Sequence, residues 1–194
     1  MFPVLPKARA DLTEGTLYAI AGEADWIYYG HVTPAKRIAF FRRRDREVSD
    51  PHEVIAAQVM SQVVVAYPSV GRAVRSGNWS KLGRFQLSPD LRVEPDTVQW
   101  PFGTLMVTVW SGGQACRTTS VDDPAIQELE IIAAWDAVSH VPKRLTADFG
   151  AEPPTWHIGG PVWRQRLVKE AYAERFPDQP SHRLPAGWVM SNDR

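Results

Sequence analysis

Residues 26–32 read WIYYGHV, and this stretch decides the fold class that the sequence predicts. Its aromatic and β-branched residues favour a strand, as do residues 17–20 (LYAI) before it and residues 37–41 (RIAFF) after it. Short turn-forming segments separate the three stretches, and the second of these segments is TPAK at residues 33–36. The N-terminal region is therefore expected to form a small, strongly bent antiparallel sheet or an SH3-like barrel.

The central stretch also predicts which of its side chains face the same way. Successive side chains of a strand point to opposite faces, so Trp26 and Tyr28 share one face while Ile27 and Tyr29 share the other. One of these faces has to form the core. We therefore do not expect all of the aromatic side chains to be exposed.

The rest of the chain alternates between short strands and short helices. A helix is predicted from Pro51, with Ser49 or Asp50 as its N-terminal cap. Trp79 follows a Gly-Asn turn; we interpret it as a structural residue over a sheet edge, with an exposed partner contact as the alternative. The other expected elements are strands at 62–67, 81–87 and 103–110, a tight turn at 112–113, a helix at 138–149, and an ambiguous segment at 125–134. The predicted fold class is α+β, mostly antiparallel β with a few short helices.

The C-terminal segment differs in character from the rest. Residues 161–172 open on a proline and place Trp163, Leu167 and Ala171 on one stripe, which predicts an amphipathic helix of about four turns. The tail is too small for a core of its own. We therefore divide the chain into a domain at residues 1–150 and an extension at residues 151–194 that docks on it.

Composition limits the function classes. Lys and Arg together number 22, as do Asp and Glu, so the formal net charge is zero. Nucleic-acid binders usually carry a basic excess, so charge balance disfavours that class, and it leaves little repulsion against weak self-association.

Cys116 is the single cysteine, which excludes an intramolecular disulfide and a multi-cysteine metal site. The sequence has no secretory signal and no long apolar run, so we expect a cytoplasmic protein without a membrane partner.

A search for catalytic patterns assigns no catalytic residue, no metal ligand and no cofactor. The sequence contains no His-Glu-x-x-His pattern, no phosphate-binding glycine loop and no nucleophile elbow. Cys116 is interpreted as a packed rather than a catalytic cysteine. The histidines are expected to face solvent; they are His31, His52, His140, His157 and His182. We therefore expect a protein that is not an enzyme, although a hydrolase or transferase with scattered residues stays an alternative.

The sharpest charge feature is the run RRRDRE at residues 42–47. It is either a solvated loop after a strand or a docking site for an acidic surface. Trp26 and Tyr28 lie on the neighbouring strand, and aromatic residues beside basic ones are also typical of base-stacking platforms. Both a protein partner and a nucleic acid are therefore kept open at this point.

The order of several motifs resembles the immunity protein 26 family of bacterial polymorphic toxin systems over roughly residues 13–150. The similar features are a glycine after a tyrosine on the second strand (Gly30), a W-x-x-x-G turn into a strand (Trp79 and Gly83) and a late helix that follows Trp135. Residues 110–124 and the tail have no counterpart in this resemblance. Gly30, Trp79, Gly83 and Trp135 are accordingly interpreted as structural.

The resemblance implies an immunity protein that binds a cognate toxin and blocks it, without saying which toxin. Steric occlusion needs a rigid surface with aromatic or arginine anchors and no chemistry. The expected partner-binding residues are Trp26, Tyr28, Arg42, Arg43, Arg44, Trp163 and Arg166. The alternative is an SH3-like nucleic-acid-binding module.

Overall fold

The computed structural model describes residues 1–150 and 160–191, and the chain divides into two compact units. Unit 1 comprises Met1–Val93 with Ala134–Glu152, and unit 2 comprises Glu94–Ala133 with Pro153–Arg194. The sequence predicted a single boundary at residue 150, and this division differs from it. Residues 94–133 belong with the tail because the tail's first strand pairs with residues 130–131.

The elements follow in chain order. The first seven lie in unit 1: β1 (Thr16–Ala21), β2 (Ile27–Val32), β3 (Arg37–Asp45), α1 (Pro51–Ile55), β4 (Val59–Val65), α2 (Tyr67–Arg75) and β5 (Trp79–Arg84). The others are β6 (Thr97–Gln99), β7 (Met106–Ser111), β8 (Gln114–Ser120), β9 (Glu130–Ile131), β10 (Ala134–Trp135), α3 (Val141–Phe149), β11 (Gly160–Pro161) and α4 (Val162–Arg175), with β10 and α3 in unit 1.

The predicted α+β class with mostly antiparallel sheets is confirmed. Unit 1 holds a six-stranded sheet in the order β10-β4-β3-β2-β1-β5, in which only β10 and β4 run parallel. Unit 2 holds a five-stranded sheet in the order β11-β9-β6-β7-β8, in which only β6 and β9 run parallel. Both sheets are open over the described residues, so closure into an SH3-like barrel is not observed.

The sheet of unit 1 is covered on both faces. Tyr29 packs in one apolar cluster with residues of β1, β3 and α1. Tyr28 lies on the opposite face, 5.5 Å between ring centres from Phe149 at the end of α3. The sequence required only one buried face; the second is buried because α3, which is distant in sequence, packs against it.

Helix α4 differs from the predicted amphipathic helix. The expected stripe of Trp163, Leu167 and Ala171 is not its most buried face. The buried positions instead are Val162, Arg164, Arg166, Val168 and Glu170, which surround the helix axis. Polar side chains are buried here because they have partners: Glu170 Oε1 accepts hydrogen bonds from Trp188 Nε1 and from the backbone N–H and hydroxyl of Ser191. A purely apolar stripe therefore could not predict the buried face.

Candidate partner-binding surface

The register of β2 and β3 brings a tryptophan and two arginines together. Ile27 pairs with Asp45 and Tyr28 pairs with Arg44 across the two antiparallel strands. Continuing this register places Trp26 opposite Arg46, with Arg44 diagonal to it on the same face. Side chains in these positions are close enough to interact.

The side chains form a stack that we call the Trp26 surface, consisting of Trp26, Arg44, Arg46 and Phe149. The guanidinium carbon of Arg46 lies 3.8 Å from the ring centre of Trp26, and that of Arg44 lies 4.4 Å from it. Arg44 also lies 5.0 Å from the Phe149 ring. Planar guanidinium groups stack on aromatic faces by electrostatic attraction to the ring. The stack holds the arginines in place without neutralising their charge.

The turn before β2 fixes the position of Trp26. Ala24 and Asp25 have φ angles of 51° and 59°, in the left-handed region that residues with a Cβ rarely adopt. The backbone N–H of Gly22 donates to Trp26 O at 2.7 Å, and Arg46 Nη1 donates to Ala24 O. Strained backbone of this kind costs of order 1–3 kcal/mol per residue and persists only where its surroundings hold it. The turn is therefore a built feature that presents Trp26 to its arginine neighbours.

The predicted arginines 42–44 have three different roles. Arg42 is exposed, and Arg44 belongs to the Trp26 surface. Arg43 Nε donates to Asp45 at 3.0 Å and its Nη2 donates to Glu53 at 2.8 Å and to Ser49 at 3.1 Å. The hydrogen bonds with Asp45 first and then with Glu53 raise the pKa of Arg43. Arg43 thus fastens α1 to β3 instead of serving as an available anchor.

The other three predicted anchors are hydrogen-bonded within the fold, and two of them, Tyr28 and Arg166, are buried. Tyr28 is only 1% exposed, and its hydroxyl lies 3.1 Å from Thr146 Oγ1. Trp163 is half-buried and its Nε1 donates to Glu128 at 3.2 Å. Arg166 is 7% exposed and donates to Gln127 and to the carbonyl of Val189. Each of them joins parts of the fold together. The α3 helix covers Tyr28 and the 188–191 segment contacts Arg166, although both positions look exposed in the sequence.

The four residues interpreted as structural lie at constrained positions. Trp79 is 1% exposed, and its Nε1 donates to Ala137 O at 3.1 Å. A Cβ on Gly30 would lie 2.7 Å from Ile38 Cγ2, which is too close for an unchanged backbone. Gly83 has a φ of 144° beside a bulge in the β1–β5 pairing, and Trp135 is buried beneath the Arg144 guanidinium at 4.7 Å.

The histidines and the cysteine occupy unrelated places. His31, expected to face solvent, is buried: its Nε2 lies 3.0 Å from Gly15 O, and burial lowers its pKa. Cys116 is exposed on β8, and not packed as the sequence suggested. His157 lies outside the described residues. Within residues 1–150 and 160–191, no three His, Cys, Asp or Glu side chains gather in a way that could hold a metal ion.

Two members of the Trp26 surface were missed by the sequence interpretation. Arg46 stood in the basic run but was not distinguished, and the available signal was its register with Trp26. Phe149 was only the last residue of the helix expected at 138–149, and nothing in the local sequence says that α3 ends over β3. No helix among the described residues has the length and apolarity needed to cross a membrane.

Comparison of the chain with protein-family models, with curated proteins and with solved structures found no match.

Proposed function

We propose that this protein is an immunity protein that binds one toxin domain through the Trp26 surface and blocks it by covering its active site. The observation that carries the proposal is the Trp26 stack itself, a tryptophan with two guanidinium carbons within 4.4 Å of its ring centre. Tryptophan and arginine are the residues most enriched among those that dominate binding energy in protein interfaces. The motif order that resembles the immunity protein 26 family supports the same class.

Preorganisation makes the Trp26 surface suited to tight binding. Ordering a long side chain on association costs roughly 0.5–1.5 kcal/mol, and arginines already stacked on Trp26 avoid part of this cost. An immunity protein has to bind tightly because free toxin harms the cell that makes it. Nanomolar affinity corresponds to about 12 kcal/mol, which an interface of about 800 Å² per partner with a few good anchors can supply.

The charge of the surface predicts the chemistry of the partner. Arg44 and Arg46 present guanidinium groups, with exposed Arg42 on the same strand. A guanidinium binds carboxylates through two parallel hydrogen bonds. The contacted patch of the toxin is therefore expected to place Asp or Glu against these guanidinium groups and basic residues against the exposed Glu23, Asp25 and Glu47 beside them, and the complex is expected to form in the cytoplasm of the producing cell.

A nucleic-acid-binding module is the second candidate, because stacked arginines beside an aromatic ring also suit single-stranded nucleic acid. The chain as a whole is neutral, and Glu23, Asp25 and Glu47 are exposed beside the Trp26 surface. These carboxylates would repel a phosphate backbone. An electrophoretic mobility shift with single-stranded DNA at low salt separates the candidates: a shift that fades steeply as salt rises would favour nucleic acid.

The proposal is tested with the toxin domain encoded next to this protein's gene. Both chains are co-expressed, the complex is purified through a tag on the toxin, and growth is followed with and without this protein. Stoichiometric co-purification together with rescued growth is expected. Failure of both would refute an immunity function for this pair, and binding without rescue would refute occlusion of the active site.

A further inference from the structure

Unit 2 contains a cavity that the proposed function does not use. Its volume is about 630 Å³, within the roughly 300–1,000 Å³ typical of small-molecule sites. The cavity lies between α4, the loop after β6 and the segment around residues 180–188. All of its lining residues belong to unit 2.

One face of α4 forms a wall of this cavity. Gln165, Val168, Lys169 and Tyr172 all line it, and their spacing of three, four and seven residues places them on a single face of the helix. Tyr172 stacks on His182 with ring centres 5.2 Å apart. The helix therefore supplies both an aromatic ring and the ammonium group of a lysine to the same space.

Two tryptophans also line the cavity, and both are fixed at their polar ends. The Trp100 and Trp188 rings are stacked, with centres 5.9 Å apart and planes 15° apart. Trp100 Nε1 donates to Thr104 O at 2.9 Å, and Trp188 Nε1 donates to Glu170 Oε1 at 2.8 Å. Because the indole N–H groups are already bonded, the lining here is apolar and rigid.

Lys169 is the unusual member of the lining. Its Nζ lies 4.8 Å from the ring centre of Trp100 and 5.6 Å from that of Phe102. Burial lowers its pKa. Among residues 1–150 and 160–191 no Asp or Glu lines the cavity, and the nearby Glu170 carboxylate already accepts three hydrogen bonds from Trp188 and Ser191. The Trp100 and Phe102 rings therefore face this ammonium group.

The charge balance of the lining selects the ligand. Aromatic cavities commonly take organic cations, but here the ammonium of Lys169 already occupies the Trp100 and Phe102 faces and would repel a second cation. Arg183 also lines the cavity and is exposed, which adds a second positive group. An anion would offset the incomplete solvation of Lys169, and a planar apolar body would pack against the tryptophan wall.

We propose that this cavity binds a small aromatic carboxylate, whose carboxylate pairs with Lys169 Nζ and whose ring packs against the edges of Trp100 and Trp188. The edges are the available parts of these rings, because Lys169 lies over Trp100, Arg166 lies over Trp188 and the two rings stack on each other. The aromatic walls exclude water around the pair, which strengthens it relative to a surface ion pair. Arg183 provides a second donor for the same carboxylate. This site is independent of the Trp26 surface, so either proposal can fail while the other stands.

Three probes that share one ring system test the proposal on the full chain. Indole-3-acetate is an anion, indole-3-acetamide is neutral and tryptamine is a cation, and each is titrated by isothermal titration calorimetry at pH 7. Indole-3-acetate is expected to bind at least tenfold more tightly than the amide, and tryptamine more weakly than either. Equal binding of all three, or no binding of indole-3-acetate at millimolar concentration, would overturn the proposal.

Variants then assign the anion preference to one residue. Lys169→Met removes the charge while keeping an unbranched apolar side chain, and we expect it to bind indole-3-acetate and the amide equally. Lys169→Arg keeps the charge and should keep the preference, and Lys7→Met removes an exposed lysine of unit 1 as a matched control. A Lys169→Met variant that unfolds cooperatively yet keeps the tenfold preference would contradict the role of Lys169. The probe series with the unchanged chain decides the existence of the site even if a variant does not fold.

Discussion

The Trp26 surface of unit 1 and the Lys169 cavity of unit 2 use the same interaction, a cation over an aromatic ring, with opposite consequences. Arg46 lies 3.8 Å from the Trp26 ring centre and is exposed. Lys169 lies 4.8 Å from the Trp100 ring centre and is partly removed from water, so that its pKa falls. A stacked arginine at the surface is ready for a large partner, whereas a lysine in a cavity is suited to a small anion.

Arginine suits the exposed Trp26 surface, and lysine suits the cavity of unit 2. A guanidinium is planar and weakly hydrated, so it lies flat on a ring and still presents donors at its edge. An ammonium group is strongly hydrated, so burying it is costly unless an anion or ring faces replace the water. The comparison therefore depends on how burial of each charge is compensated. Three predictions on buried ionisable groups follow, beginning with the largest effect.

The interior of unit 1 contains a cation paired with a buried carboxylate. Removing that carboxylate should lower the free energy of unfolding more than the other two changes. Arg144 and Asp148 have side chains 1% and 5% exposed, and Arg144 Nε donates to Asp148 Oδ2 at 3.2 Å. Asp148→Ala removes this carboxylate from a buried guanidinium, so we expect the free energy of unfolding to fall by about 3–5 kcal/mol in urea denaturation. Asp90→Ala, at an exposed position of the same unit, should change it by less than about 0.5 kcal/mol. Equal effects of the two substitutions would show that the ion pair is not important for stability.

Tyr18 tests the effect of burial on an acidic group, which is neutral when protonated and negatively charged when it loses its proton. Its hydroxyl donates to Asp11 O and accepts from Asp11 N, and burial raises its pKa to about 12. Up to its ordinary pKa of about 10, the folded and unfolded chains both keep the proton, so the stabilisation is complete. Between about pH 10 and 12 the unfolded chain loses the proton while the folded chain keeps it, so stability should fall by about 2–3 kcal/mol.

Tyr18→Phe provides the control for that measurement. Urea denaturation is repeated at pH 9, 10, 11 and 12, and the variant should be less stable at pH 9 but should decline less steeply above pH 10. A residual decline is expected because burial also raises the pKa of Tyr29. Parallel declines in the two proteins would mean that Tyr18 titrates alike in the folded and unfolded chains.

Lys169→Met should have the smallest effect on stability, and any change should be a stabilisation. The substitution removes cation–aromatic contacts of roughly 0.5–1 kcal/mol but also removes the penalty of a desolvated charge. We therefore expect the free energy of unfolding to be unchanged or to rise by up to about 1 kcal/mol in urea denaturation. A loss greater than about 2 kcal/mol would mean that Lys169 is a structural cation like Arg144, and the contrast between the two units would disappear.

Local features of the fold were predictable from the sequence. The pairing of β1, β2 and β3 follows from strand composition and short turns, and Gly112 and Gly113 join β7 to β8 with φ angles of 55° and 77° as a tight turn requires. Asp50 caps α1, as one of the two expected residues, by accepting from His52 N at 2.7 Å. Each of these depends on residues close together in the chain.

Features that depend on distant packing were not predictable. Helix α2 contains Gly71 in its interior, which disfavours a helix, and it is stabilised by burying Val70, Ala73 and Val74. The parallel pairing of β10 with β4 joins residues about seventy positions apart. The candidate sites also depend on residues distant in sequence. The Trp26 surface includes Phe149 at the end of α3, and the cavity forms where α4 lies near the segment around Trp188. Composition identified the residue types, but not which of them would be covered.

The most direct test of the central claim is the dissociation constant between the toxin domain and three forms of this protein, measured by isothermal titration calorimetry. The forms are the unchanged chain, Trp26→Ala, and Trp110→Ala as a half-exposed tryptophan of unit 2. The account predicts that Trp26→Ala weakens binding by at least about 30-fold, equivalent to about 2 kcal/mol, while Trp110→Ala stays within about twofold. Unchanged affinity of a folded Trp26→Ala variant would contradict the claim that the protein acts through the Trp26 surface.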